Sequence, residues 1–91
     1  MKFYELPAVN DARQSFYGKA HVIEKDGEKI LLSYETEVCK IDRQGNFIKL
    51  WDGYSQTTMR HINSFLYLFD IKGGGKAWWD KLEVGEVMEC I

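Results

Sequence analysis

The sequence predicts an α+β domain: an antiparallel β-meander of three or four strands, with one main helix from the C-terminal half of the chain packed on one face. Two observations predict the meander, because turn-forming residues punctuate the first half and apolar residues alternate with polar ones between them. A third predicts the helix, since after Tyr54 the apolar residues recur at helical spacing. We expect residues 1–91 to form a single compact domain, because chains divide into several only at much greater length.

The turns define the strands. The first 14 residues contain the only proline and predict a short strand followed by a loop. A second strand is expected from Ser15, and Asp26-Gly27 closes a hairpin, because these residues tolerate the positive φ of tight turns. The next stretch predicts one continuous strand with a bulge near residues 39–41, followed by the turn "RQGN" and the short strand "FIKLW". Its apolar face is expected to carry Ile30, Leu32, Tyr34, Thr36 and Val38.

The main helix is expected to begin at Ser55 or Thr57, whose hydroxyl can accept a hydrogen bond from a backbone N–H of the first turn. Gly73 to Gly75 are expected to end it, since glycine readily takes the left-handed conformation found after a helix. "KAWWDKL" predicts one or two further helical turns, and "EVMECI" a last extended segment. The apolar stripe of the main helix consists of Met59, Ile62, Phe65, Leu66 and Phe69.

The composition limits the kinds of partner. Hydrophobic residues make up 45% of the chain, and 12 basic and 14 acidic side chains give a net charge of -2. These charges are spread evenly, so a large phosphate-binding surface for nucleic acid is not expected. The longest apolar run, "FLYLF", is far shorter than the roughly 20 residues that span a bilayer, and the first residues do not resemble a signal peptide. We therefore expect a soluble cytoplasmic protein with no membrane partner.

Metal and redox sites are not expected. Cys39 and Cys90 can form at most one disulfide, and reduced thiols are the simpler expectation for a cytoplasmic protein. A metal site would draw on these cysteines, His21 and His61, but their spacing matches no zinc pattern. The sequence thus predicts neither a metal nor a cofactor.

Two motifs that suggest catalysis fail on inspection. A triad of Asp52, Ser55 and His61 is excluded because a capping Ser55 would lie roughly 9 Å from His61 along the helix, whereas a nucleophile and its base need contact at about 3 Å. "DIKGGGKAWW" lacks the first glycine and the final hydroxyl of a phosphate-binding loop. Its glycines are expected to form a connector, with a hinge or a small anion-binding nest as alternatives. No catalytic residue is predicted.

The best candidates for a binding site are surface-type aromatic and polar residues. Trp51, Tyr54, Trp78 and Trp79 each need burial or a partner; most are expected to close the ends of the core, with one of the adjacent tryptophans facing outward as a contact. Outside the apolar stripe, the main helix presents a polar ridge, which is solvated in most proteins but carries residue types enriched in binding hot spots. The ridge consists of Arg60, Asn63, Ser64 and Tyr67, with His61 at its border.

Three strings carry a resemblance: "SFYGKAHVI", "LLSYETEVCKI" and "WDGYSQTTMRHINSFL". They resemble a group of small uncharacterised proteins from phages and anaerobic gut bacteria, which share Y-G-K-A, S-Y-x-T-x-V and W-x-x-x-S-x-T-T-x-R-H-I. The resemblance spans residues 15–69 and implies no activity and no catalytic residue. It implies a stand-alone accessory protein of a phage or mobile element.

We therefore predict a non-enzymatic accessory protein that binds another protein, with a homodimer as a further expectation for so small a domain. The predicted contact residues are Arg60, His61, Ser64, Tyr67, Trp78 and Trp79. Two alternatives belong to other classes. A nucleic-acid-binding regulator would use the aromatic residues together with Lys19, Lys40, Lys49 and Arg60. A small enzyme or ligand-binding protein would need a pocket around His61, Tyr54 and Trp51.

Overall fold

The chain folds into two layers, an antiparallel β-sheet and two helices on one of its faces. The computed structural model describes residues 1–9, 15–85 and 87–88, the last two by their backbone alone. The elements in chain order are β1 (Lys2–Glu5), β2 (Ala20–Lys25), β3 (Glu28–Ser33), β4 (Thr36–Ile41), β5 (Phe47–Lys49), α1 (Gln56–Leu68), α2 (Lys76–Lys81) and β6 (Val87–Met88). The predicted α+β class, with one main helix in the C-terminal half packed on a meander, is confirmed.

The sheet contains more strands than the predicted three or four. Six strands lie side by side in chain order, each antiparallel to the next. The segment predicted as one strand is a hairpin of β3 and β4, whose two-residue turn is Tyr34-Glu35 with φ of 51° and 73°. Such type I′ turns favour asparagine and glycine. Because neither residue is a turn former, the sequence does not signal this hairpin.

The hairpin also changes which residues face the helices. Leu31 and Ser33 are buried between the sheet and the helices, so the predicted apolar face is wrong for Ile30, Leu32, Tyr34 and Thr36. Val38 is buried as predicted. A bulge lies just before the predicted position, because Leu31 pairs with Cys39 whereas the next residue of β3 pairs with Glu37. Val38 is the extra residue, and it and Cys39 are both buried.

Strand β2 starts later than predicted, because a turn precedes it. The two turns that the sequence predicts, after β2 and before β5, are confirmed. Phe16 to Lys19 form a tight turn, closed by the Lys19 N–H, which donates to the Phe16 carbonyl at 3.1 Å. Tyr17 and Gly18 at its centre have φ of 54° and 73°. The Asp26-Gly27 turn joins β2 to β3, and residues 42–46 form the predicted turn before β5.

Helix α1 begins as predicted and ends earlier. Ser55 is the N-cap, and its hydroxyl accepts a hydrogen bond from the Thr58 N–H at 3.0 Å. The glycine run does not end the helix, because Asp70 takes the left-handed conformation with φ of 57°. The Ile71 N–H then donates to the Leu66 carbonyl at 2.8 Å, closing a Schellman motif. Aspartate tolerates this conformation because its short polar side chain adds little steric cost.

The two smaller predictions for the C-terminal region are confirmed where the structure describes it. The further helical turns are α2, and β6 is part of the predicted extended segment. Residues 86 and 89–91, with Cys90, lie outside the described residues. The core between the sheet and the helices includes Trp79 of α2 and the predicted stripe of α1 apart from the half-buried Phe69. Neither described helix is long and apolar enough to cross a membrane.

Candidate functional site

Three segments distant in the sequence meet at one end of α1. They are the turn at residues 16–19, the turn at residues 33–36, and the first two turns of the helix. They enclose a cleft of about 190 Å³, which we call the His61 pocket. Its lining residues are Phe16, Tyr17, Lys19, Tyr34, Thr57, Arg60 and His61.

The floor of the pocket is a fixed imidazole. His61 is 1% exposed, and its Nδ1 lies 2.7 Å from the Oγ of Ser33, which is also buried. The same Oγ lies 3.2 Å from the Oγ1 of Thr58. The edge of the Phe16 ring packs against the imidazole, with 4.6 Å between ring centroids. These contacts hold the ring orientation, because each buried polar atom of the group has a partner that satisfies it.

The rim of the pocket carries two strained tyrosines. Tyr17 is 71% exposed and Tyr34 is 49% exposed, and both have positive φ. Bulky side chains rarely adopt this conformation, which is costly and tends to occur at functional sites. The two turns are tied together, because the Tyr34 N–H donates to the Lys19 carbonyl at 2.9 Å. The Glu5 carboxylate accepts a hydrogen bond from the Gly18 N–H at 3.0 Å and thereby fixes the first turn.

Basic side chains contribute to the lining of the pocket. Lys19 and Arg60 line it, and none of the described residues that line it is acidic. The Lys19 Nζ lies 5.8 Å from the centroid of the Tyr34 ring, an arrangement in which the aromatic face attracts the cation. The Tyr34 ring in turn lies 5.6 Å from that of His61. The pocket thus combines the exposed ammonium of Lys19 with an aromatic wall.

The predicted ridge is not a single exposed surface. Arg60 and His61 both line the pocket, as neighbours in the helix, but His61 is buried rather than at an exposed border. Ser64 is also buried, and its hydroxyl donates to the Val9 carbonyl at 2.9 Å. The predicted exposure of these two residues is wrong, because the buried side of α1 is wider than its apolar stripe. Polar side chains such as Thr58 can lie on the buried side when each of them has a hydrogen-bond partner.

Tyr67 and Asn63 are exposed on another part of α1. They border a second cleft of about 290 Å³ between the helix and the glycine run. The Gly75 N–H donates to the Asn63 side-chain oxygen at 3.2 Å, and a Cβ on Gly74 would lie 2.8 Å from that oxygen. The glycines therefore have a packing role as a connector, and Tyr67 is well separated from the buried His61.

The two adjacent tryptophans are not equivalent. Trp79 is 1% exposed, and its indole N–H donates to the Gly53 carbonyl at 2.8 Å. Its predicted role as a surface contact is wrong, because α2 directs this ring into the core. Trp78 is half-buried and packs on Phe47, with ring centroids 5.3 Å apart. Its ring covers Gly73, where a Cβ would lie 2.5 Å from the indole.

The cations that a nucleic-acid-binding surface would need are dispersed. Lys49 is buried and donates to two backbone carbonyls near the end of α2. Lys40 forms an ion pair with Glu28 at 3.1 Å. Only Lys19 and Arg60 of the four predicted cations lie together. A nucleic acid presents a row of neighbouring phosphates, and cations dispersed in this way can contact few of them at once.

The other predicted constellations do not assemble. Ser55 caps α1, and Asp52 lies 3.5 Å from the Lys49 ammonium rather than near His61. Among the residues that the structure describes, no group of three metal-ligating side chains comes together. Cys39 is a free thiol, and its burial raises the pKa well above the ordinary value. A pocket does exist at His61, but Tyr54 and Trp51, which were expected to line it, do not.

Sequence reasoning missed most of the pocket. Phe16, Tyr17 and Tyr34 were assigned to strands, and Ser33 was not among the residues of the predicted apolar face. The available signal was the resemblance, because Tyr17, Ser33-Tyr34 and the segment 57–62 belong to its three strings. These three strings converge on the pocket in space.

A six-stranded meander with two helices on one face defines a two-layer α+β domain, and a small pocket lies at one end of its main helix. The chain belongs to a family of unknown function (DUF8033), whose pattern matches residues 4–81. No curated protein and no solved structure matches the chain.

Proposed function

We propose that this protein is a non-enzymatic accessory protein that binds another protein, and that the His61 pocket receives an acidic group of that partner. The observation that carries the proposal is the pair of exposed tyrosines, both held in a rare backbone conformation, at the rim of a pocket with two cations. Strain of this kind persists only where the surrounding structure enforces it. Tyrosine and arginine are also the residue types most enriched in binding hot spots.

The size of the pocket favours a side chain over a whole small molecule. Sites for small-molecule ligands commonly measure about 300–1,000 Å³, whereas the His61 pocket measures about 190 Å³. A carboxylate presented by a partner protein fits this volume, and Lys19, which is exposed at the pocket, provides the opposite charge. The exposed rings of Tyr17 and Tyr34 would then cover the surrounding surface of the partner.

The burial of the Ser33–His61 pair argues against catalysis. Serine and histidine in contact resemble a nucleophile and its base. Ser33 lies beneath the imidazole, however, where it also contacts Thr58, and it is only 2% exposed. A substrate could not reach this hydroxyl without displacing His61 from the core. The pair is better explained as the support of the pocket floor.

The resemblance to proteins of phages and anaerobic gut bacteria supports an accessory protein encoded on a mobile element, with a host protein as its partner. A cytoplasmic location agrees with the buried free thiol of Cys39. Nucleic acid is the less favoured partner, because Lys40 and Lys49 are engaged elsewhere in the fold.

The test begins with affinity purification of the tagged protein from its native cell, followed by titration of the purified partner against variants. We expect Tyr17→Ala and Lys19→Glu each to weaken binding at least about tenfold, equivalent to about 1.4 kcal/mol. Tyr67→Ala and Lys72→Glu are matched controls, because these residues are exposed and lie outside the pocket. The controls should bind like the unmodified protein.

Three results would contradict the proposal. Full binding by both pocket variants would exclude the pocket, and loss of binding by Tyr67→Ala alone would move the contact to the other end of α1. If the captured partner were nucleic acid, the affinity would fall steeply with salt, by several tenfold steps between low and physiological ionic strength. That result would replace a protein partner with nucleic acid.

A further inference from the structure

The face of the sheet opposite the helices carries an apolar row. Phe3 lies opposite Ile23 across the first two strands, Ile23 opposite Ile30, Ile30 opposite Lys40, and Lys40 opposite Ile48. Residues directly opposite one another in antiparallel strands project from the same face. None of these residues belongs to the core or packs against it. The row therefore crosses five strands on the side away from α1.

Nothing in the described part of the chain forms a third layer over this row. The molecule is 22 Å thick in its shortest dimension, which suits one sheet and one layer of helices. Phe3 is 60% exposed and stacks on His21 with 4.8 Å between centroids, and the isoleucines are partly exposed. A contiguous apolar surface of this kind commonly marks an interaction site.

We propose that this surface is the interface of a homodimer in which two copies stack sheet against sheet. We call it the open sheet face, and it consists of Phe3, Ile23, Ile30, Leu32, Lys40 and Ile48. The resulting assembly has four layers, with a helix layer on each outside and two sheets about 10 Å apart between them. The proposal is independent of the His61 pocket, which lies at the helix layer.

The charges of the open sheet face suit a second copy of the same chain. A two-fold axis parallel to β3 stacks Ile30 on its own equivalent and places β2 of one copy over β4 of the other. His21 and Glu37 share one row with Leu32, so His21 of each copy then approaches Glu37 of the other. Lys40 already pairs with Glu28 at 3.1 Å within its own chain.

The balance of charge also argues against other occupants. Acidic and basic side chains alternate around the apolar row, so a strongly charged surface such as nucleic acid would meet repulsion as well as attraction. In the two-fold arrangement a like copy matches this pattern at His21 and Glu37, whereas Glu28 lies over its own equivalent and is compensated by the Lys40 ammonium at 3.1 Å. The apolar row then provides most of the attraction, because its burial removes isoleucine and phenylalanine surface from water.

The area of the face sets the expected strength. Three of the five strands are six residues long, whereas β1 has four residues and β5 has three. At about 3.3 Å per residue and about 4.8 Å between strands, they cover a footprint of roughly 400 Å². This is about half of the roughly 800 Å² that each partner buries in a typical stable interface. We therefore expect a weak dimer that dissociates in the high micromolar range.

The test is sedimentation velocity of the full chain over a concentration series from about 1 μM to 1 mM. The unmodified protein should shift from monomer to dimer, and Ile30→Glu should raise the dissociation constant at least tenfold by burying a charge at the centre of the interface. Tyr67→Glu and Lys19→Glu are controls outside the open sheet face, and both should dimerise normally. Circular dichroism establishes that each variant is folded.

Dilution of the unmodified protein provides a measurement that does not depend on a variant. Its amide NMR signals should change with concentration in β2, β3 and β4 rather than in α1. Ile23→Lys tests the same face at a second position if Ile30→Glu does not fold. A monomer at every concentration, a dimer indifferent to the isoleucine variants, or changes confined to α1 would each overturn the proposal.

Discussion

The imidazole of His61 is anchored to the sheet by Ser33, whose Oγ lies 2.7 Å from its Nδ1. The two residues are 28 positions apart in the chain, and the contact joins the second turn of α1 to the end of β3. Because both side chains are buried, this hydrogen bond fixes how the helix lies on the sheet and where the pocket opens. Folding and the candidate site thus depend on the same pair.

Replacement of Ser33 should therefore destabilise the protein. Ser33→Ala removes the hydroxyl that His61 and Thr58 both contact and leaves their buried polar atoms without it. We expect the free energy of unfolding to fall by about 1–3 kcal/mol, measured by urea denaturation. Thr36→Ala, at an exposed position of the adjoining strand, should change it by less than about 0.5 kcal/mol. Equal stability of both variants would contradict this role for Ser33.

The Tyr34-Glu35 turn should improve when glycine replaces the second residue. Glu35 has φ of 73°, which costs an ordinary residue roughly 1 kcal/mol. We expect Glu35→Gly to raise the free energy of unfolding by about 0.5–1 kcal/mol without altering partner binding. Tyr34→Asn should relieve the same strain but weaken binding, because the ring lines the pocket.

The control for these substitutions is Glu37→Gly, in the extended part of β4, which should lower stability because glycine gains no strain relief there. If Tyr34→Asn bound the partner as tightly as the unmodified protein, the strained tyrosine would have no function at this site.

Lys49 should be essential for docking α2. Its buried ammonium donates to the carbonyls of Trp79 and Leu82 at 2.9 and 3.1 Å and lies 4.6 Å from the centroid of the Trp79 ring. Lys49→Met keeps much of the side-chain volume but leaves both carbonyls without this donor. We expect a loss of about 2–4 kcal/mol in urea denaturation. Lys81→Met, at an exposed position of α2, should be nearly neutral.

Alkaline pH should reduce the contribution of Tyr4 to the free energy of unfolding. Its hydroxyl donates to the Glu24 carboxylate at 2.6 Å, and burial, together with this hydrogen bond and the nearby negative charge, raises the pKa of Tyr4. The unfolded chain ionises Tyr4 near its ordinary pKa of about 10, whereas the folded chain keeps the proton. The stabilisation is therefore fully present below pH 10 and declines above it.

Tyr4→Phe isolates this effect, because all other titrating groups are unchanged. The unmodified protein should be more stable than the variant at pH 8, and the difference should shrink between about pH 10 and 11.5. Urea denaturation across this range measures it. A difference that stayed constant or grew would contradict the assignment.

Local signals made the helices and two of the turns, at Asp26-Gly27 and at residues 42–46, predictable. Ser55 combines with an apolar stripe at helical spacing, and Asp26-Gly27 is a strong turn signal, so each could be recognised from a few adjacent residues. The end of α1 was harder to predict from the sequence. Gly73 was suitable to end the helix, but the left-handed Asp70 ends it three residues earlier. The N–H groups of Asp70 and Ile71 then donate to the last carbonyls of the helix. The sequence does not reveal which of two suitable residues will end a helix.

The pocket could be predicted only in part from the sequence. Arg60 and His61 could be selected because they adjoin on one helix, but the rest of the lining depends on the β3–β4 hairpin. Tyr34 has positive φ only because the strands on both sides pair tightly, and tertiary pairing of this kind overrides local preference. The burial of Ser64 likewise depends on the Val9 carbonyl, which is 55 residues away.

The chain-order arrangement of the sheet has a consequence for folding. Strands β2 to β5 are joined by short turns, so this part of the sheet can grow hairpin by hairpin with short loops to close. Such low contact order favours rapid folding. Pairing of β1 with β2 closes the longer connection at residues 6–19, and pairing of β5 with β6 has to close a loop that contains both helices. We therefore expect the last strand to join after the helices have docked, with β2 to β5 able to form before it.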